Sequence, residues 1–355
     1  MMLLFDPDPP FVCSYLLGRS TFKEHTQRFT PEWFRNEVDN MKSRKVKAIG
    51  YILHHGGEEI TEPVKLLTQG SLSKVENCVR FLPERNEMTL RIARYCMKVF
   101  PEIPHVLFCE TALFAHLPAE ASTYAIPYKL RAEGIRRYGG DGLCHQWALE
   151  QINTLKMRPY KRVISIHLGN HTNIAAFKNG KAVETSIGFT PIEGIISSTG
   201  CGDLDTAIVL QLVSAGMSLE EINRSLSSEG GFTGLLGKQC SLTDILQKSE
   251  DPNINFVRDL FYYQVKKFIG SFISVLGGVD AIVFVCDYVD ESIELIEETC
   301  RSLDFLQLKR REKVKVQHGY WIFSEKDSEV DVFCFKYDKL NILTRKLINL
   351  TTKEL

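Results

Sequence analysis

The stretch RVISIHLGNHTNIAAFKNGKAVETS (residues 162–186) decides the fold. RVISIHL is rich in β-branched residues, and IAAFK and KAVETS flank Asn179-Gly180, the dipeptide that most readily supplies the positive φ angles of a two-residue hairpin turn. Three antiparallel strands are therefore predicted over 162–187, with HLGNHTN as the first turn. Downstream, the apolar period lengthens from two residues to about 3.6. DLDTAIVLQLVSAG (203–216) predicts a helix with Asp203 as N-cap, and SLEEINRSL (218–226) another, opened by a Ser218/Glu221 capping box. A long amphipathic helix (256–276), the strand AIVFVC (281–286), the helix SIELIEETCRSL (292–303), the strand VDVFCF (330–335) and a closing helix from about Asp338 follow.

The first part repeats this theme more faintly. MMLLFDPDPPFVCSYLL reads as an edge strand and turn, part of an N-terminal strand pair, followed by the strand VKAIGYIL (46–53), a helix through MTLRIARYCMKVF and the strand HVLFC (105–109). A meander followed by alternating helices and strands, occurring twice, predicts an α/β protein of two ribonuclease-H-like domains with a cleft between them. The expected boundaries are 1–110 plus 338–355 for the first domain and 111–337 for the second.

The 355 residues suffice for two cores, and 43 Lys and Arg against 44 Asp and Glu leave no net field to draw the chain to nucleic acid or anionic lipid. Ten scattered cysteines without a CxxC pair suit a reducing compartment and form no zinc pattern. The N-terminus has no basic region of the kind that opens a signal peptide. The most apolar run, FIGSFISVLGGVDAIVFVC, is broken by Gly277-Gly278 and Asp280, too short on either side to span a bilayer. A cytoplasmic protein is expected.

Several motifs, in order, carry a resemblance. CETALFAHLPAEASTYAIPYKLRAEGIRRYGGDGLCH (109–145) is similar to the acetate kinase run F-D-T-A-F-H through R-Y-G-F-H-G-T-S-H. HLGNHTN with NGK and ETSIGFTPIEG resembles H-L-G-N-G-x-S, N-G-K and D-T-S-M-G-F-T-P-L-E-G. SSTGCGDLD, GFTGLLGKQCSLTD and GGVDAIVFVCDYVDES resemble further elements of the same family. The similarity is plain from about residue 46; the first 45 residues match poorly. The chain therefore resembles the acetate and butyrate kinase family. The resemblance implies two actin-like domains, a twofold homodimer, an ATP and Mg²⁺ site between the domains, and transfer of the γ-phosphoryl group to a short-chain carboxylate.

Phosphoryl transfer depends on positive charge, backbone N–H donors and a metal placed around the phosphate. The resemblance sets Gly200 at the catalytic arginine, Ile52 at the substrate arginine and Asp141 at the catalytic histidine. Removing a transition-state arginine costs about 10³–10⁵ in rate. Arg85, near a family histidine, offers one positive charge, or is a solvated loop arginine. The nucleotide positions fall on Gly169, Asn170, His171, Asp203, Asp287 and Asp290. His171, Asp287 and Val289 stand at family glycines, as does Asp8, and glycine serves phosphate loops through positive φ and close backbone approach. An aspartate about 4 Å from a phosphate is penalised by roughly 4 kcal/mol at an effective dielectric of 20. The Mg²⁺ positions fall on Asp6 (a family asparagine), Glu110 (an aspartate) and Lys339 (a glutamate). Lysine cannot ligate Mg²⁺, which takes oxygen, so an exposed residue in the first turn of the last helix is the plainer reading of Lys339.

Other constellations are weaker. His54-His55 end a strand, where neighbours point to opposite faces. Cys144 beside His145 is better read as a buried cysteine than as a nucleophile, because i and i+1 on a helix do not face one another. Glu110, Asp141 and Asp203 could converge as an acidic cluster for a divalent cation or a cationic ligand. Three functions stay open: an acetokinase-family protein with lost or strongly reduced kinase activity and a binding or regulatory role toward a small carboxylate or nucleotide; an active carboxylate kinase with rebuilt contacts; and a different enzyme that uses the acids.

Overall fold

The N-terminal strand Met2–Asp8 (β1) is interior, not an edge. It pairs antiparallel with Phe11–Leu17 (β2), itself paired with Phe22–Arg28 (β3), and parallel with Ala48–Leu53 (β4). Leu3, Leu4 and Phe5 are all buried, the mark of a strand covered on both faces, which a reading based on the acidic, proline-broken turn underrates. The computed structural model describes residues 2–8, 11–17, 22–155, 157–317 and 319–353. The chain divides into two compact units, Met1–Ala115 with Asp338–Leu355, and His116–Tyr337.

Val64–Leu66 (β5) and His105–Cys109 (β6) complete the first unit's sheet, ordered β3-β2-β1-β4-β6-β5. The helix Lys339–Lys353 returns the chain to this unit and buries Leu343 and Leu347. Gly50 in β4 lies beneath it: a β-carbon there would crowd Leu4 Cδ1 at 2.8 Å and Phe108 Cε2 at 2.9 Å, with Leu347 Cδ2 of this helix at 3.5 Å, an ordinary contact.

In the second unit, Arg162–Leu168 (β7), Asn173–Lys178 (β8) and Lys181–Thr185 (β9) form the expected meander. Asn179 and Gly180 adopt φ of 52° and 76°, as that turn requires. Ala281–Cys286 (β10) lies parallel to β7 and to a later strand, and Arg310–Gln317 (β11), Tyr320–Ser324 (β12) and Asp331–Lys336 (β13) extend the sheet. The order is β11-β12-β13-β10-β7-β8-β9. The helix Pro252–Leu276 buries Val257, Phe261, Val265, Ile269, Phe272 and Leu276 along one stripe. It starts at Asp251, whose side chain accepts from the Asn253 N–H, and stops at Gly277 with φ 70°.

The capping box at Ser218 and Glu221 forms. The N-cap at Asp203 does not. The helix Thr206–Ser214 is capped by Asp205, whose carboxylate accepts from the Ala207 N–H at 2.9 Å. Gly202, at φ 70°, turns the chain so that Asp203 Oδ1 accepts from the Gly194 N–H at 3.0 Å instead. The choice between two acids two residues apart is made by that turn.

Candidate functional site

His167 lies near the end of β7, opposite Val285 in the parallel register with β10, so the residue just after β10, Asp287, comes beside it. The Asp287 N–H donates to the Leu168 carbonyl at 3.0 Å and fixes this approach. Asp141 reaches the same imidazole from the start of the helix Gly142–Thr154, where it adopts a left-handed φ of 51°. His167 Nδ1 is 3.0 Å from Asp141 Oδ2, and Nε2 is 3.3 Å from Asp287 Oδ1. Both ring nitrogens face carboxylates, an arrangement that suits the doubly protonated imidazolium. Burial pushes the imidazole pKa down, but the charges of Asp287 and Asp141 and their hydrogen bonds more than reverse this and hold it well above 6.5.

Gly169 completes this group, because a β-carbon there would overlap the Asp287 carboxylate. Asn170 ties the loop to its neighbours: its Oδ1 accepts from Ser198 Oγ at 3.2 Å and from the Leu242 N–H at 3.4 Å. His171 is exposed, and it is not among the described non-glycine residues with positive φ, which are Asp141, Asn179 and Gln307. The loop thus turns without a positive φ at position 171, in keeping with HLGNHTN read as a turn. Gly200 lies in a neighbouring tight turn, its N–H donating to Ser197 Oγ at 2.8 Å. Asp290 is exposed in the first turn of the helix Val289–Ser302.

The first unit holds a second charged group. Lys339 opens its helix, and its Nζ lies 3.0 Å from Asp6 Oδ2 and 3.0 Å from Glu110 Oε1. The plain reading of Lys339 as a solvated residue is corrected: the helix starts where β1 and β6 end, and the two acids draw the ammonium inward. His54 Nε2 is 3.1 Å from Asp6 Oδ1 and 3.0 Å from the Pro7 carbonyl, and Arg85 Nη1 is 3.5 Å from His54 Nδ1. Arg85 belongs to the helix Pro83–Val99, not to a loop. Burial alone would raise the Asp6 carboxyl, but Lys339 and His54 hold it well below the usual range. Burial likewise opposes the Lys339 charge, and Asp6 and Glu110 more than restore it, raising its pKa.

Asp6, Glu110 and Lys339 do not fit Mg²⁺. The ion takes six oxygen donors, and here an ammonium already holds one oxygen of each acid. Among the described residues, no three His, Cys, Asp or Glu side chains are grouped as a metal ligand set. Of the acids suggested to converge with Glu110, Asp141 is bonded to His167 and Asp203 accepts from the Gly194 N–H. Ile52 is fully buried in β4. Asp8 ends β1, and its side chain lies outside the described residues.

His54 and His55 diverge, His55 stacking on Phe81 at 4.9 Å between ring centres and accepting from the Gly57 N–H. Cys144 is buried, and the neighbouring His145 is bonded through Nδ1 to Ser165 Oγ at 2.9 Å. Burial lowers the His145 pKa to about 3. The residue that sequence reading did not single out is His167; its signals were an ionisable side chain inside the run VISIHL and its place as the first residue of the HLGNHTN motif.

No described helix is long and apolar enough to cross a membrane. The chain is 33% identical over 315 residues to acetate kinase from Halothermothrix orenii, covering 87% of this chain and 78% of that one. It is 33% identical over 316 residues to acetate kinase from Clostridium botulinum, covering 87% and 79%. Its fold matches the crystal structure of Porphyromonas gingivalis acetate kinase with a TM-score of 0.84 over 98% of each chain, at 24% identity. A propionate kinase from Francisella tularensis matches with a TM-score of 0.83 over 95% and 96%, also at 24% identity. The family model for the acetokinase family aligns with residues 21–344, so the likeness begins upstream of residue 46. With the two-unit α/β fold and this match over most of its length, the chain belongs to the acetokinase family.

Proposed function

We propose that this acetokinase-family protein keeps the fold while its ATP:carboxylate phosphotransferase activity is lost or strongly reduced, and that it serves in binding or regulation in the cytoplasm. The observation that carries this reading is the clamping of His167 by Asp141 and Asp287. Asp287 stands in a loop that the family resemblance gives to nucleotide phosphates, and Asp141 at the position that it gives to the catalytic histidine. One imidazolium offsets only one of them, so a triphosphate approaching Gly169 and Asn170 would meet net negative charge. Gly200 and Ile52 add no compensating cation. One is a backbone turn and the other a core side chain.

The alternative is an active short-chain carboxylate kinase using ATP and Mg²⁺ through rebuilt contacts. The 33% identity to acetate kinases over most of the chain favours it. One assay decides: purified protein with Mg-ATP and acetate, propionate or butyrate, the acyl phosphate trapped as a hydroxamate, beside a known acetate kinase. Formation at a rate comparable to the control overturns the loss of activity.

A homodimer belongs to the same reading. The helix Thr206–Ser214 buries none of its residues and exposes Leu210 and Val213 on one side and Ile208 on the other, apolar surface that a second copy would cover. Light scattering on the purified chain and on Leu210→Glu tests it, with a shift toward monomer expected in the variant.

A further inference from the structure

The ammonium of Lys339 stands between two carboxylates at equal distances of 3.0 Å, and these are the positions that the family resemblance assigns to the metal. A lysine ammonium has three N–H donors and no acceptor. Here two of the donors go to Asp6 Oδ2 and Glu110 Oε1. Asp6 Oδ1 takes His54 Nε2, so both oxygens of that carboxylate are engaged. Further positive charge stands behind, because the Arg85 guanidinium is 3.5 Å from the other nitrogen of His54. The Lys339 side chain is about one quarter exposed and Glu110 almost wholly buried, so solvent screens the pairs weakly.

We propose that Lys339 is a resident cation. Its ammonium takes the place of a divalent metal between Asp6 and Glu110, so the unaltered chain holds no Mg²⁺ there. A divalent ion entering this corner would have to expel the ammonium and break both pairs at once. With a carboxylate at 339 the same backbone would present three acids in place of two acids and a cation, and the latent metal site would open. The obstacle to metal is one side chain, not the fold.

The test uses the full chain, freed of metal by chelation and desalting, without nucleotide. Mn²⁺ binding is read from the loss of the free-ion EPR signal, and thermal midpoints are taken with and without Mn²⁺. No saturable binding and no midpoint shift are expected for the unaltered chain. Lys339→Glu is expected to gain a saturable site at least tenfold tighter and a midpoint that rises with Mn²⁺. Should that variant fail to fold, Lys339→Gln, which removes the charge and offers an amide oxygen, carries the same comparison. Mn²⁺ bound by the unaltered chain as tightly as by the variant, or a folded variant that gains nothing, overturns the proposal. Kinase turnover is a separate readout: acyl phosphate formation would refute the proposed loss of activity without placing a metal between Asp6 and Glu110.

Discussion

Asp287 Oδ1 and His167 Nε2 lie 3.3 Å apart across two parallel strands, and the imidazole is bonded on its other side to Asp141. The histidine is thus a bridge between two segments, the turn before the helix Gly142–Thr154 and the loop after β10. Replacing it with glutamine removes the cation and leaves two acids facing one another. Breaking a buried ion pair from one side costs about 3–5 kcal/mol. Asp287 is more than a third exposed, and solvent screening brings the expected loss for His167→Gln to about 2 kcal/mol. Urea denaturation at pH 6 measures it.

The same bridge sets a pH dependence. The His167 pKa is raised in the folded chain above that of an ordinary histidine. Its stabilising contribution is therefore fully present below about pH 6.5 and is lost as the pH rises through the raised folded value. The stability gap between the unaltered chain and His167→Gln should be widest at pH 5.5–6.5, on the order of the ordinary histidine pKa and below, and should narrow on the alkaline side. A gap that widens with rising pH would contradict the bridge.

Gly169 lacks the β-carbon that would overlap the Asp287 carboxylate. Gly169→Ala should destabilise the chain by about 1–3 kcal/mol, the usual cost of crowding a packed site. Asp287→Gly should relieve most of that loss in the double variant, because it removes the obstructing atoms. A double-mutant cycle of thermal midpoints would show the coupling. Additive losses would mean that residue 169 is limited by something other than Asp287.

Ile52 is fully buried in β4, and the Thr89 hydroxyl donates to its carbonyl at 2.9 Å. Ile52→Ala should cost about 2–5 kcal/mol through the cavity it leaves. Ile52→Arg, which restores the residue type found in the family motif, should fold poorly or not at all, because β4 gives its charge no partner. Chemical denaturation and soluble yield distinguish the two. An arginine variant as stable as the alanine would mean that the strand can turn this side chain outward.

The central strands were legible because their signals are local. RVISIHL, AIVFVC and HVLFC are short β-rich runs bounded by turns, and Asn179-Gly180 names its own turn type. The pair β11 and β12 was harder to read, since RREKVKVQ is charged and largely exposed and its apolar alternation is confined to Val314 and Val316. The site was half readable. Motif order indicated Asp6, Glu110, Lys339, Asp141 and Asp287 as positions of interest, but not that Lys339 would reach Asp6 across more than 300 positions. Such pairings depend on which strand ends come together, and single-sequence periodicity does not carry that information. The N-cap error at Asp203 has the same origin, in a glycine turn whose hand is set by its neighbours.

The return of the helix Lys339–Lys353 to the first unit, with Leu347 against Gly50, has a consequence for biosynthesis. On the ribosome, at about 5–20 residues per second, the first unit waits on the order of ten seconds or more for its last helix. The second unit is complete in sequence before that helix emerges. Folding should therefore finish out of chain order, with a greasy face of the early-made half left waiting for its cover, a natural stop for a chaperone.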